Sequence, residues 1–374
     1  MTQRTMSQSA ALVAVSVAFA VGIVGSLALR PPSGVGLNTP AAATTGETPL
    51  RIHWRMPVAF ATNLPVLGDN ALYVTGAIRA ASNGALRIDP YEPNEIVPPF
   101  SITDAVRDRK VEAGYSWLGY DQGRIPASPL IGAVPFGMEP WEFSAWWFEA
   151  GGRELGEALY AKQNTHILFC GISGPETAGW FRERIDSLEQ MKGLKIRFAG
   201  LGGKVIEQIG ASVTMLPGGE IFQALEKGAI DATEYSLPIV DEKLGFNRIA
   251  RYNYYPGWHQ PSTAVHLIVN LDIWNALAYH DQQLIEMACT AGVTRNLARS
   301  EGLQGAVMAR FPELGVSAET LPEEVLRELQ RVSEAVMLEQ AEKDADFKKI
   351  LESQQAFRSD YAIWKSRAYL PRNF

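Results

Sequence analysis

Apolar and polar positions follow two different periods along residues 50–255. Short apolar or alternating runs, such as residues 51–56 and 166–170, are typical of strands, whereas residues 140–162 show helical spacing. Strand-like and helix-like segments alternate along the chain. Repeated strand–helix–strand units build parallel sheets, whose ligand clefts lie at the carboxyl ends of the strands. The pattern therefore predicts an α/β fold.

Residues 320–374 follow a helical pattern only. A second helix is predicted over residues 347–368, after a first helix whose apolar residues recur at spacings of four, three and four: Val325, Leu329, Val332 and Val336. An apolar stripe of this kind either covers the parent domain or docks on a partner, and we favour the first. The chain is therefore expected to end in extra C-terminal helices.

The N-terminal residues bear on the compartment. Residues 10–29 carry no charge over a length that can cross a bilayer, and Arg4 precedes them. We predict a secretory signal within residues 1–30, with an uncleaved N-terminal anchor as the alternative. Residues 31–49 are rich in Pro, Gly, Thr and Ala and are predicted to be a flexible linker. The protein is therefore expected to be exported.

Composition narrows the class of protein. Apolar residues make up 47% and charged residues 20% of the chain, which is ordinary for a globular protein. A formal net charge of -7, without a basic stripe, argues against nucleic acid as a partner. The two cysteines, Cys170 and Cys289, lie in apolar segments. Buried free thiols are favoured, although a bridge between them stays open.

Motifs for catalysis are missing from the sequence. It contains no G-x-S-x-G nucleophile elbow, no H-E-x-x-H zinc motif and no P-loop. The five histidines show no metal-ligand spacing, although His259, beside Trp258 in an aromatic run, is expected to line a pocket. We therefore do not expect an enzyme.

Arg197 is the first candidate for the binding chemistry. The strand-like run 194–198 ends in a turn that contains Gly200, Gly202 and Gly203. An arginine at the carboxyl end of a strand can hold a carboxylate through paired hydrogen bonds. Taken alone, Arg197 is also consistent with a surface or interdomain ion pair.

Several long segments resemble one family in the same order. They read GWFRERIDSLEQMKGLKIR from Gly179, LPGGEIFQALEKGAIDATE from Leu216, DEKLGF from Asp241 and YYPGW from Tyr254. These segments resemble the solute-binding proteins of tripartite ATP-independent periplasmic (TRAP) transporters. The similar branch binds small monocarboxylates, 2-oxo or 2-hydroxy acids such as pyruvate and lactate, together with a metal ion.

The resemblance implies a two-domain periplasmic binding protein fold with the ligand cleft between the domains. Domain I would cover residues 50–165, completed by parts of 256–320, and domain II residues 166–255, followed by C-terminal helices over 320–374. The implied partners are a small carboxylate, the membrane subunits of a TRAP transporter and a second copy in a homodimer. The implied location is the periplasm, with anchoring to the inner membrane by residues 1–30 as the alternative.

The resemblance also implies roles for particular residues. Arg197 matches the arginine that pairs with the ligand carboxylate. Glu234 and the backbone carbonyl of Tyr235 match metal ligands, and Glu176 matches a residue that touches both metal and ligand. The pocket walls would come from aromatic residues: Trp117, Tyr120 and Trp258.

Glu176 stands where the better-known keto-acid binders have glutamine. With glutamine, one metal-site carboxylate, the ligand, the arginine and a monovalent cation sum to zero charge. With Glu176 ionised, the same set carries a net charge of about -1, which is costly in a desolvated cleft. A divalent cation in place of the monovalent one restores a net charge of zero. Because the expected ligands are oxygens, we predict Ca²⁺, with Na⁺ as the alternative, and lactate or a related 2-hydroxy acid.

One alternative function stays open at this point. A membrane-anchored sensor for carboxylic acids would use the same binding module, and an uncleaved helix over residues 10–29 would be compatible with it.

Overall fold

A computed structural model describes residues 49–370 of the protein. Strands and helices alternate through most of this range, as the sequence pattern predicts. The strands are β1 (Ile52–Pro57), β2 (Leu86–Tyr91), β3 (Ala113–Trp117), β4 (Thr165–Ser173), β5 (Gly179–Phe181), β6 (Lys195–Arg197), β7 (Ser212–Thr214), β8 (Ala232–Thr233), β9 (Tyr252–Tyr255), β10 (Thr263–Asn270) and β11 (Ser317–Thr320). The α-helices are α1 (Gly68–Ala81), α2 (Ile102–Arg107), α3 (Pro140–Glu149), α4 (Gly152–Ala161), α5 (Gly200–Ile209), α6 (Gly218–Glu226), α7 (Pro238–Leu244), α8 (Leu271–Asn275), α9 (Tyr279–Met308), α10 (Glu323–Lys343) and α11 (Ala345–Ala368).

Two sheets form what we call the first lobe. Strands β1 and β2 pair in parallel, and β3, β10 and β4 form an antiparallel sheet in that order. A bridge between Val58 and Tyr115 connects the two sheets. The long helix α9 packs against β4 and α1. Since α9 covers β4, every residue of this strand is buried, which explains its nearly uninterrupted apolar sequence.

Strand β4 bears on the predicted division of the chain, which places residues 166–255 in the second domain. In the structure β4 pairs with β10, a strand within the range predicted to complete domain I. The apolar run within β4 predicts a buried strand without specifying its sheet. Its pairing partner lies far away in the sequence, so only the tertiary structure reveals it.

The six-stranded sheet forms the second lobe, in the order β11–β9–β5–β8–β6–β7. Strands β6, β7 and β8 run parallel, and Arg197 at the end of β6 pairs in register with Thr233 at the end of β8. Parallel neighbours end at the same edge of a sheet. The side chains that follow β6 and β8 are therefore brought together at this edge.

The C-terminal helices α10 and α11 cover the body of the protein. The four apolar residues of the predicted stripe are buried within the chain, at no more than 6% exposure each: Val325, Leu329, Val332 and Val336. Helix α10 packs on α5 and α11. Gln354 of α11 donates to the backbone oxygen of Leu130 at 2.6 Å. The stripe therefore covers the parent fold, as favoured by sequence analysis.

Cys170 and Cys289 form a disulfide, so the expectation of free thiols is wrong. The bond joins β4 to α9, with a Cα–Cα distance of 3.9 Å. A side chain at Gly292, one turn after Cys289, would meet the Cys170 backbone oxygen at 2.4 Å. Glycine at this position lets helix and strand approach closely enough for the two cysteines to meet, a contact that the sequence spacing does not reveal.

Within residues 49–370, no helix combines the length and the apolar character that crossing a membrane requires. The predicted signal or anchor over residues 1–30 lies outside the described residues, as do residues 31–48 of the predicted linker.

Candidate ligand and metal site

Arg197 lies at the carboxyl end of β6 with 1% of its surface exposed. Its Nη1 donates to the backbone oxygen of Glu234 at 2.6 Å and to Oε2 of the same residue at 2.9 Å, and its Nε donates to the Leu216 oxygen at 3.1 Å. The guanidinium also lies 5.1 Å from the ring centroid of Tyr235. Arg197 is therefore a buried, oriented charge, and not a surface ion pair.

Glu234 follows β8 and presents its two carboxylate oxygens to different surroundings. Oε2 accepts hydrogen bonds from Arg197 and from the backbone nitrogen of Ala199 at 3.2 Å, while Oε1 has no hydrogen-bond partner within residues 49–370. Burial alone would raise the pKa of Glu234, but Arg197, His259 and the Ala199 amide together lower it. An ionised carboxylate with one free oxygen therefore lies in the interior.

Glu176 reaches the same place from the loop after β4. Its Oε1 accepts from the Thr263 hydroxyl at 2.9 Å. With the Gln260 amide turned so that its nitrogen faces the carboxylate, Gln260 donates to Oε1 and Oε2 at 3.2 and 3.0 Å. Burial raises the pKa of the Glu176 carboxyl, and the charge of Glu234 adds to this effect. Glu176 thus lies in the segment that connects β4 of the first lobe to β5 of the second, and its carboxylate meets that of Glu234 in one buried cluster.

His259 faces both carboxylates. Its Nε2 lies 3.6 Å from Oε2 of Glu176 and 3.4 Å from Oε1 of Glu234. Burial alone would lower the pKa of His259, but the two carboxylates raise it to about 9. Donor atoms of the three side chains lie within 4.8 Å of one another, as in a metal site.

A cavity enclosing about 280 Å³ of empty space adjoins this cluster. Six residues from sequence analysis line it: Trp117, Tyr120, Glu176, Arg197, Glu234 and Tyr235. Its lining also includes residues that sequence analysis did not select: Phe60, Leu67, Ala199, Ser236, Gln260 and Thr263.

Two of the expected pocket residues lie outside this lining. Trp258 instead packs its ring on Phe136 and Phe198, with centroid distances of 5.8 and 5.9 Å. His259 contacts the carboxylates without lining the cavity. Trp258 therefore belongs to an aromatic cluster with Phe136 and Phe198 and not to the cavity lining.

The glycine-rich turn after β6 lets the site close tightly. Gly200 has a φ of +66°, and a side chain there would meet the Trp117 ring at 2.7 Å. A side chain at Gly202 would meet Cβ of His259 at 2.8 Å. Trp117 in turn packs edge-on against Tyr120, whose pKa burial raises to about 12. The glycines thus allow the helix start to touch both an aromatic wall and the histidine.

Some of the cavity-lining residues that sequence analysis did not select have a signal in the sequence, and others have none. Ser236 follows Tyr235, and Gln260 and Thr263 come just after His259, so adjacency to selected residues could have indicated them. Phe60 and Leu67 come from the segment between β1 and α1, where no motif was noted. Their place in the wall depends on how the lobes meet.

Comparison with known proteins identifies the family. Residues 60–344 match the model of the bacterial extracellular solute-binding proteins, family 7 (DctP). The chain belongs to this family. Its members are the solute-binding receptors of TRAP transporters and not enzymes.

Individual relatives agree over most of the chain. A monocarboxylate 2-oxoacid-binding periplasmic protein of Nostoc sp. strain PCC 7120 is 35% identical over 313 residues, which cover 84% of this chain and 86% of that protein. A TRAP solute-binding protein of Bordetella bronchiseptica RB50, crystallised with copurified calcium and picolinate, is 31% identical to this chain. The match covers 86% of this chain and 95% of that one, with a TM-score of 0.84. One from Pseudoalteromonas atlantica T6c, with sodium and pyruvate, is 29% identical with a TM-score of 0.81, and the match covers 85% of this chain and 97% of that one. The two-domain binding-protein fold with extra C-terminal helices is therefore confirmed.

The residues of this TRAP solute-binding protein fit a cation. Glu234 Oε1 is buried without a hydrogen-bond partner in the described part of the chain, and a second carboxylate lies close by. Two buried carboxylates need a compensating charge. Glu176, Glu234 and the Tyr235 carbonyl would hold the ion, which would balance these charges and offer a positive centre to an acid. His259 adds a nitrogen to a donor set that sequence analysis had expected to contain oxygen only.

Proposed function

We propose that this TRAP receptor binds a small 2-hydroxy monocarboxylate such as lactate together with Ca²⁺ and delivers it to the membrane subunits. One observation carries the proposal. Arg197, Glu234 and Glu176 line one small cavity, although they come from three separate segments of the chain. A cationic fork and a pair of carboxylates suit a ligand that is itself an anion held with a metal ion.

The arginine supplies the recognition of the acid. The guanidinium is oriented by Glu234 and Leu216, so little rotamer entropy is lost when the ligand binds. Tyr120, which also lines the cavity, lies beside the guanidinium. In the complex, the ligand carboxylate shares Arg197 with Glu234.

Charge balance favours a divalent cation. Arg197 and Glu234 already form an ion pair at 2.9 Å, so an anionic ligand and Glu176 add two negative charges to a buried site. Ca²⁺ balances these two charges, whereas Na⁺ balances only one. Carboxylates and a backbone carbonyl are the ligands that Ca²⁺ prefers. With the cation bound, neutral His259 satisfies this charge count.

The side chain of Glu176 favours a 2-hydroxy acid over a 2-oxo acid. An ionised carboxylate only accepts hydrogen bonds, and a 2-hydroxyl can donate one, whereas a 2-oxo group cannot. The glutamine of the keto-acid binders can donate to an oxo group. The relatives named for 2-oxo acids therefore do not by themselves fix the preference of this chain.

Closure of the two lobes couples binding to transport. Trp117 ends β3 of the first lobe, whereas Arg197 ends β6 and Glu234 follows β8 of the second lobe, and all three line the cavity. One ligand–cation pair can contact all three only when the lobes are together, so binding favours the closed form. The membrane subunits of the transporter would recognise that form at the periplasmic face. A homodimer remains part of the proposal.

A binding experiment tests the assignment. Protein freed of ligand and metal is titrated calorimetrically with lactate and with pyruvate, each in Ca²⁺, in Na⁺ and after chelation. We expect lactate with Ca²⁺ to bind most tightly, and chelation to weaken binding strongly. Undiminished lactate affinity after exhaustive chelation would refute the divalent cation, and tighter binding of pyruvate under every condition would refute the hydroxy-acid preference.

A further inference from the structure

The oxygens of Glu176 and Glu234 fall into two classes. Oε2 of Glu234 and Oε1 of Glu176 accept hydrogen bonds from Arg197 and Thr263, respectively. The other two oxygens, Oε1 of Glu234 and Oε2 of Glu176, both face Nε2 of His259, and Oε2 of Glu176 also accepts from the turned Gln260 amide at 3.0 Å. These three atoms converge from three separate segments of the chain.

Their spacing is long for hydrogen bonds. Nε2 lies 3.4 Å from Glu234 Oε1 and 3.6 Å from Glu176 Oε2, and neither Nε2 nor Glu234 Oε1 has a hydrogen-bond partner within residues 49–370. Donor atoms about 2.1–2.4 Å from one cation lie roughly 3.0–3.9 Å from each other at octahedral to tetrahedral angles. The separations are those of neighbouring ligands around an ion.

The imidazole is fixed in this position by packing. Its side chain is fully buried and lies edge-on to Phe198, with a centroid distance of 4.9 Å. Gly202 leaves room for its Cβ, and the backbone oxygen of the preceding Trp258 accepts a hydrogen bond from Phe136 at 2.7 Å. A preorganised nitrogen donor needs little reorganisation to bind a metal.

We propose that Nε2 of His259 is a direct ligand of the cation, beside Glu176 and Glu234. An imidazole favours first-row divalent ions, so the site takes Mn²⁺ more tightly than Ca²⁺. The inference rests on the proposed function in one point, that the two carboxylates hold a cation. It goes beyond that function by assigning a nitrogen ligand and the metal preference that follows from it.

Mn²⁺ reports its own ligands by pulsed electron paramagnetic resonance, in which a directly bound imidazole nitrogen modulates the electron spin echo. Metal-free full-length protein is loaded with one equivalent of MnCl₂, with and without lactate. The same measurement is made on His259→Gln and on His280→Gln, a control at an exposed histidine. Calorimetry with MnCl₂ and CaCl₂ gives the affinity ratio of each protein.

We expect nitrogen modulation in the wild type and in His280→Gln and its loss in His259→Gln. The preference for Mn²⁺ over Ca²⁺ should fall on the order of tenfold in His259→Gln alone. If the wild type binds one Mn²⁺ and its spectrum shows no nitrogen modulation, His259 is not a ligand, and this conclusion does not depend on the folding of His259→Gln. In that case the proposed function is unaffected. If the wild type binds neither Mn²⁺ nor Ca²⁺, both the nitrogen ligand and the proposed function are contradicted.

Discussion

Two buried histidines, one in the sheet of the first lobe and one at the candidate site, differ in their pKa because their surroundings differ. His266 lies in the sheet of the first lobe, 5.4 Å from the Trp147 ring and 5.7 Å from the Phe169 ring. His259 lies between the carboxylates of Glu176 and Glu234 at the ligand site. Burial lowers the pKa of His266 to about 3, whereas the carboxylates raise that of His259 to about 9.

Equal burial therefore does not mean equal chemistry. Both side chains are fully enclosed, but only one has charged partners. The first lobe is held by apolar packing and a disulfide, which do not depend on a ligand. The site contains buried carboxylates whose negative charge must be compensated, and a cation bound together with the ligand can compensate it. Perturbations of the two regions should therefore separate affinity from stability.

Replacing Arg197 should have the largest effect on binding. Arg197→Ala leaves Glu234 as an unpaired buried charge and removes the partner of the ligand carboxylate. We expect a loss of 2–5 kcal/mol of binding free energy, roughly 30- to 5,000-fold in Kd, measured by calorimetry. Arg87→Ala, at an exposed ion pair, is the matched control and should bind as the wild type does. Retained wild-type affinity in Arg197→Ala would remove this residue from the site.

Opening the disulfide should affect the other region. The paired variant Cys170→Ser with Cys289→Ser loses a link across 119 residues, and we expect the free energy of unfolding to fall by about 2–5 kcal/mol. Denaturant titration measures this change. Ligand affinity of the folded variant should stay within about twofold of the wild type. A large loss of affinity would show that the two regions are coupled.

Exchanging Glu176 for glutamine should change which ions and acids bind. Glu176→Gln removes one buried negative charge, so Na⁺ becomes sufficient for charge balance and an oxo group gains a donor. We expect the ratio of Ca²⁺ affinity to Na⁺ affinity to fall about tenfold. The ratio of lactate affinity to pyruvate affinity should also fall about tenfold. Calorimetry with both acids in both ions measures the shift. Unchanged ratios would mean that Glu176 does not set the selectivity.

The smallest effects should be opposite pH dependences in the metal-free protein. His259 keeps its proton to about pH 9 when folded, while the unfolded chain releases it near 6.5, so its stabilisation is present below pH 6.5 and is lost as the pH rises to 9. His266 stays neutral to about pH 3 when folded, so stability falls as the pH falls from 6.5 to 3. Each slope is at most about 1.4 kcal/mol per pH unit.

Urea titrations of His259→Gln and His266→Phe against the wild type, from pH 4 to 9, isolate these slopes. The wild type should lose stability relative to His259→Gln above pH 6.5, and relative to His266→Phe below it. Slopes of the same sign in both comparisons would contradict the contrast between the two regions.

Local elements were predictable because local rules decide them. The short helix after Ser187 begins with the capping box formed with Gln190, and Gly193 follows it with a φ of +74°. The adjacent glycines Gly151 and Gly152 interrupt the helical pattern of residues 140–162 in the sequence, and in the structure α3 ends at Glu149 and α4 begins at Gly152. Arg197 and Glu234 were selected because they end long segments that resemble one family, and Glu176 was selected because it lies three residues before the first of these segments.

Contacts between distant segments were not predictable in this way. The pairing of β4 with β10 and the bond between Cys170 and Cys289 depend on how remote segments pack. So does the contribution of Phe60 and Leu67 to the cavity wall. Periodicity reports which face of a segment is buried, but it carries no information on the surface that buries it.

The sequence by itself determined the α/β class and the family, because the alternation of elements and the family's segments can both be read along the chain. Only the tertiary structure decided that His259 faces the two carboxylates and that Trp258 turns away from the cavity. These two residues are neighbours in the sequence, yet they have different surroundings. The charge of a buried side chain and its choice of ligand follow from those surroundings, which the fold assembles from distant segments.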